Sequence, residues 1–195
     1  MKPLFYSIVI FNLLYLLSAC AAAVVGGAAV GTSVAIDQRT TSGMFEDQGI
    51  KNKFTELYFA DTELNARTHI NFTSYNNQAL ITGEAPNEQD KQTLSNIVDK
   101  ISNIRRYFNE VQIAPASSIM VRSNDSYITT VVKTNIFNSV KALDGGQAKV
   151  VTENSSVFLM GIVTQKQADQ ITEIARTTNG VKRVVKLFEY INTDQ

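Results

Sequence analysis

The chain has 195 residues, with 18 Lys and Arg against 18 Asp and Glu, a single His, a single Cys and no Trp. Zero formal net charge argues against a general nucleic-acid binder, which needs a basic excess to meet phosphate. One cysteine allows no disulfide within the chain, so each domain must rest on its hydrophobic core.

Residues 1–19 read as a secretory signal peptide. Lys2 supplies a positive charge, Pro3 to Leu17 (PLFYSIVIFNLLYLL) is uncharged and apolar, and small residues follow. A membrane-spanning anchor is the competing reading, because the run approaches the roughly 20 residues that cross a bilayer. Leu17-Ser18-Ala19-Cys20 resembles the bacterial lipobox. That resemblance implies cleavage before Cys20 and acyl chains on its sulfur and on the new amino terminus. Several chains anchor stably where one binds reversibly, at about 0.8 kcal/mol per buried methylene. Ala21 and Ala22 stand where an Asp would retain a Gram-negative lipoprotein in the inner membrane, so the resemblance implies the outer membrane, facing the periplasm. Residues 20–45 then read as the lipidated cysteine and a tether. Ala21 to Ile36 (AAAVVGGAAVGTSVAI) lacks bulk for a core, and Asp37 to Gly43 continues as polar loop. A membrane-surface segment and a strand with partners are the alternatives for the Ala/Gly/Val run.

From residue 46 the chain repeats a pattern. At an offset of 78, Asp47-Gln48-Gly49-Ile50 meets Asp125-Ser126-Tyr127-Ile128, and Ala79-Leu80-Ile81-Thr82-Gly83 meets Val157-Phe158-Leu159-Met160-Gly161. The copies span 46–114 and 124–192, with 115–123 as linker. In each, a helix-spaced apolar series comes first: Ile50, Phe54 and Leu57, then Ile128, Val132, Ile136 and Val140. Two strands follow, divided by the turns Asn76-Asn77-Gln78 and Asn154-Ser155-Ser156. A second helix carries Leu94, Ile97, Val98 and Ile101, matched by Ile171, Ile174 and Ala175, and Asn179-Gly180 closes it as a cap. Tyr107 to Ile113 and Val184 to Ile191 end the copies as strands. The order is helix, strand, strand, helix, strand.

Gly161-Ile162-Val163 and Asn179-Gly180-Val181-Lys182-Arg183-Val184 resemble the two signatures of the BON domain, a Gly-x-Val ending the second strand and a Gly-Val-x-x-Val after the second helix. Copy one keeps Gly83 and replaces the second glycine by Asn103, the next most tolerated residue in a left-handed cap. The resemblance implies an α+β fold of two tandem BON domains, each a small three-stranded mixed sheet packed on two helices. Gly83, Gly161 and Gly180 are then structural glycines, at positions where the backbone needs close approach or angles closed to other residues.

The first helix of copy two has a second apolar side. On a wheel over Tyr127 to Lys141, Ile128, Val132, Ile136 and Val140 form the core stripe, while Tyr127, Val131 and Thr134 lie away from it with Thr130, Phe137 and Lys141 beside them and Lys133 further round. Such a strip suits a lipid headgroup interface. It equally suits packing against copy one or against the linker residues Ile119, Met120 and Val121. Copy one carries seven basic and ten acidic residues, and residues 124–195 carry eight and seven, so copy two is the better match for an anionic surface. Among two-BON outer-membrane lipoproteins this helix binds anionic phospholipid such as phosphatidylglycerol and cardiolipin and supports outer-membrane integrity, including at the division site. The resemblance carries that role to Tyr127, Thr130, Val131, Lys133, Thr134, Phe137 and Lys141. It also implies an alternative, a non-enzymatic adaptor for the β-barrel assembly complex. The pairs Arg105-Arg106 and Lys182-Arg183 read as solvated surface or as binding sites.

Catalysis finds little support. Cys20 is taken by lipid, and His69 reads as a partly exposed strand residue without a metal-binding pattern. The pairs Glu88 with Asp90 and Asp169 with Glu173 have spacings routine on solvated helices. Neither Gly26-Gly27 nor Gly145-Gly146 precedes the Lys-Ser/Thr of a phosphate loop. The sequence therefore predicts no enzyme, no cofactor and no metal.

Overall fold

The computed structural model describes residues 41–139 and 148–191; the expectations placed on the signal peptide, Cys20, most of the tether, Val140 and Lys141 lie outside them. Helix α1 (Thr41–Ala60) and the short α2 (Thr62–Arg67) lead into strands β1 (His69–Tyr75) and β2 (Gln78–Ala85), then α3 (Glu88–Val98), β3 (Arg106–Asn109) and β4 (Gln112–Ile113). The second copy is α4 (Ile119–Ser139), β5 (Lys149–Glu153), β6 (Ser156–Val163), α5 (Gln165–Thr177) and β7 (Arg183–Tyr190). In both copies the central strand pairs antiparallel with the strand before it and parallel with the one after the helix.

The expected helix-strand-strand-helix-strand order is present twice, with the short α2 added after α1 in copy one and with further differences at the ends of elements. Thr41 to Gly43, read as loop, already belongs to α1, and Ile119 to Ser123, read as linker, belongs to α4. The last strand of copy one is split at Glu110-Val111. There Val111 turns inward to 1% exposure, and its N–H donates to Asn109 Oδ1 while the Asn109 amide donates to Lys91 O and Ser95 Oγ. The second helix of copy two ends at Thr177 with Thr178 as its cap, so Asn179-Gly180 form a turn just beyond, closed by Val181 N–H donating to Thr178 O. Gly180 takes φ +91° there, and Asn103 takes φ 69° at the matching place in copy one.

Each copy buries its helices on one sheet face. Ile50, Phe54 and Tyr58 of α1 meet Ile81, Ala85, Leu94 and Val98, with Phe54 stacked on Phe72 at 4.1 Å between ring centroids. Ile128, Val132 and Ile136 of α4 meet Val157, Leu159, Val163 and Ile171. Alternation along the strands sends a second apolar set to the other face. Those faces meet: Tyr75 and Leu80 pack with Phe158, Met160 and Leu187, so the two sheets close on each other. This explains why β2 and β6 are buried on both sides.

Two local devices fix the pattern. The hairpin residues Asn76, Asn77, Asn154 and Ser155 all have φ between 48° and 62°, the paired left-handed geometry of a type I′ turn. Gly83 lies opposite Ile70 with φ +118°, and a Cβ there would stand 1.9 Å from the His69 carbonyl oxygen. Gly161 occupies the matching place in β6, buried and in register with Phe188.

Candidate functional site

Helix α4 has two faces of different chemistry. Inward it buries Asp125, Ile128, Val132 and Ile136, and Thr129 Oγ1 donates to Thr152 Oγ1 on β5 at 2.7 Å. Asp125 belongs to the fold: its carboxylate accepts the N–H groups of Asn154 and Ser155, both at 2.8 Å. Asp47 does the same for Asn76 and Asn77 in copy one.

The outward face carries Tyr127 at 66% exposure and Phe137 at 67%. Thr130, Lys133 and Thr134 are exposed beside them, and Val131 is half-buried. Thr130 Oγ1 donates to Ser126 O, so its hydroxyl is taken by the helix backbone and its methyl group remains for contact. Ile119 and Met120, considered above as packing partners, instead extend the same helix upstream, at 80% and 81% exposure. Met120 and Tyr127 are seven residues apart, two turns along one face, and that spacing was the available signal for including them. Arg122, Asp125 and Lys133 are the charged residues of α4, and the one acid is turned inward. The outer surface of the helix therefore carries exposed apolar side chains among uncharged polar ones, with Lys133 as its exposed basic residue.

The basic pairs divide between roles. Arg105 is bonded to Glu189 at 2.8 Å and Arg183 to Glu110 at 3.2 Å, each joining one copy to the other, while Arg106 and Lys182 are exposed. Of the acidic pairs, Asp90 accepts from Arg67 Nε and Nη2, each at 2.8 Å, a pairing that lowers its pKa. Glu173 is held by Arg176, with the same effect.

His69 is half-buried on β1, its Nδ1 3.2 Å from Glu84 Oε2. Glu153 of the second copy joins them, and ligand-type atoms of the three residues lie within 4.8 Å of one another. Linear spacing could not reveal this group, because Glu153 arrives only when the two sheets close.

The paired βαβ units with an added hairpin strand and the left-handed turns match the BON domain family model at residues 47–115 and 124–192. The chain belongs to the BON-domain family, in its two-domain outer-membrane lipoprotein branch. It is 36% identical over 194 residues to "Outer membrane lipoprotein DolP" of Haemophilus influenzae, covering 98% of this chain and 99% of that one. It is 29% identical over 158 residues to the "21 kDa hemolysin" of Actinobacillus pleuropneumoniae, covering 80% of each. Among solved structures, CdsD, a structural protein of the type III secretion system of Chlamydia trachomatis, aligns at 12% identity with a TM-score of 0.31, covering 75% of this chain and 94% of that one. Among the described residues no helix is long and apolar enough to cross a membrane.

Proposed function

We propose that this protein is held by lipid on Cys20 in the outer membrane, faces the periplasm, and binds anionic phospholipid through α4 in support of outer-membrane integrity, including at the division site. The observation that carries the reading is the outward face of α4, where Tyr127 and Phe137 are two-thirds exposed on a helix whose core stripe lies elsewhere. Aromatic rings with a polar tip or edge sit well at the headgroup level. Lys133 and Arg122 flank them, and each basic residue near an anionic surface contributes about 1 kcal/mol. The location draws on the likeness to the Haemophilus lipoprotein.

The test is binding of the fragment from Asp37 onward to vesicles with and without phosphatidylglycerol or cardiolipin, beside the double variant Tyr127→Ala, Val131→Ser. Withdrawing those side chains from an apolar boundary removes about 1.5–3 kcal/mol, so the variant binds at least tenfold more weakly. Binding also weakens with salt and needs the anionic lipid. Equal binding by both proteins, or none by either, removes α4 as the lipid site and leaves contact with the β-barrel assembly complex as the function.

A further inference from the structure

We propose that His69, Glu84 and Glu153 form a binding site for a divalent transition cation, with zinc the foremost candidate, at the seam between the two BON domains. One imidazole and two carboxylates are a donor set that zinc accepts, whereas calcium takes oxygen alone. The ligand-type atoms of the three residues lie within 4.8 Å of one another. His69 Nδ1 and Glu84 Oε2 are 3.2 Å apart, long for a charge-assisted hydrogen bond and close to the edge of about 3.3 Å of a tetrahedron with zinc bonds of 2.0–2.1 Å.

The surroundings are those of a built site. Glu84 is 1% exposed and Glu153 3%. Two carboxylates this close in a dry seam repel each other, and a cation removes that repulsion. Outer groups orient both ligands: the Asn71 amide donates to Glu153 Oε2 at 2.7 Å, the Asn154 amide to Glu84 Oε1, and the Ser117 N–H to Glu84 Oε2 at 3.1 Å. Such second contacts are what hold metal-binding carboxylates in place.

An independent observation comes from Thr82. Its side chain is 1% exposed, and its Oγ1 has no hydrogen-bond partner. Thr82 pairs with Asn71 and shares the face of β2 with Glu84, so the hydroxyl looks into the same gap between the sheets. Ser117 Oγ, beside Glu84, is likewise buried and unpartnered. Buried hydroxyls are rarely left so, and a ligand's bound water would satisfy them. Because His69 and Glu84 come from copy one and Glu153 from copy two, a bound cation would tie the domains together.

Calorimetric titration of the metal-stripped full-length chain in detergent with zinc chloride tests this, beside His69→Gln and Glu153→Gln. Gln at 153 can still accept the Asn71 bond, and the metal-free melting curve of each variant reports whether it folds. One zinc per wild-type chain, at least tenfold weaker binding in both variants, and a zinc-dependent rise in melting temperature confined to the wild type are expected. Zinc held elsewhere persists in both variants, so equal binding overturns the site. Absence of stoichiometric binding to the wild type overturns it whatever the variants do.

Discussion

Asp47 and Asp125 each hold a hairpin whose two central residues occupy the left-handed region. Each carboxylate accepts two backbone N–H groups of half-buried turn residues 29 and 30 positions later in the chain. Hydrogen bonds to a charged group contribute about 1.5–3 kcal/mol each, part of which water recovers on mutation. Asp125→Ala should therefore lower the stability to urea by about 2–4 kcal/mol, with the midpoint of unfolding as the readout. The aspartates align at a constant offset in sequence, so their equivalence was legible, but their task was not, since the turn they hold lies in another element. Glu153 behaves differently. Burial pushes its carboxyl above the ordinary range, Asn71 opposes this, and the charge on Glu84 adds to it. A raised acid takes up its proton more readily in the folded state, so stability is gained as pH falls through the folded pKa towards 4.5, and the ionised form is a burden above it. In chelator, Glu153→Gln should melt higher than wild type at pH 7, and the gap should close on acidification. Asp90 runs the other way: Arg67 lowers its pKa, so the stability from that pair is present above the ordinary carboxylate range and lost as pH falls through the folded value.

At the scale of elements, helices, strands and turns were legible because periodicity changes from 3.6 to 2 at clear turn residues. The starts of helices were not. Ser118 was a usable cue for α4: its hydroxyl accepts from Val121 N–H at 3.3 Å, placing the helix start two turns before Tyr127. The break between β3 and β4 left no local mark, since it answers to Asn109 reaching α3 and Val111 reaching the core. In α4 the wheel found the strip of Tyr127, Val131 and Phe137. It missed the extension to Ile119 and Met120 because those residues were read as linker. A strip running from Met120 to Phe137 should engage a surface along several turns rather than at one ring, so Met120→Ser should weaken vesicle binding in the same direction as the Tyr127→Ala, Val131→Ser pair.

At the scale of the molecule, the two BON units are joined by sheet faces and rimmed by polar contacts. Phe158 sits at the centre, 1% exposed, with the Arg183 guanidinium 5.5 Å from its ring centre. Asn76 and Arg105 of the first copy both reach Glu189 of the second. The run Val157-Phe158-Leu159-Met160 reads only as a strand of copy two; that it is buried on both faces emerges from the closure of the two sheets. Phe158→Ala should cost about 3–5 kcal/mol in urea unfolding, as truncation of a buried aromatic does. Exposed pairs such as Arg105 with Glu189 contribute far less each. This arrangement leaves α4 on an outer side of the second unit, with its aromatic strip facing solvent.

The chain contains no Trp, so a tryptophan placed by mutation reports one position alone. Fluorescence of the fragment from Asp37 onward, carrying Tyr127→Trp, mixed with vesicles of phosphatidylglycerol or cardiolipin, tests α4 as the lipid site most directly, with Phe59→Trp in the first copy as the control. A blue shift and quenching by brominated lipid at position 127, absent at 59 and absent with neutral vesicles, is the predicted result. No change at 127, or the same change at both positions, would contradict it.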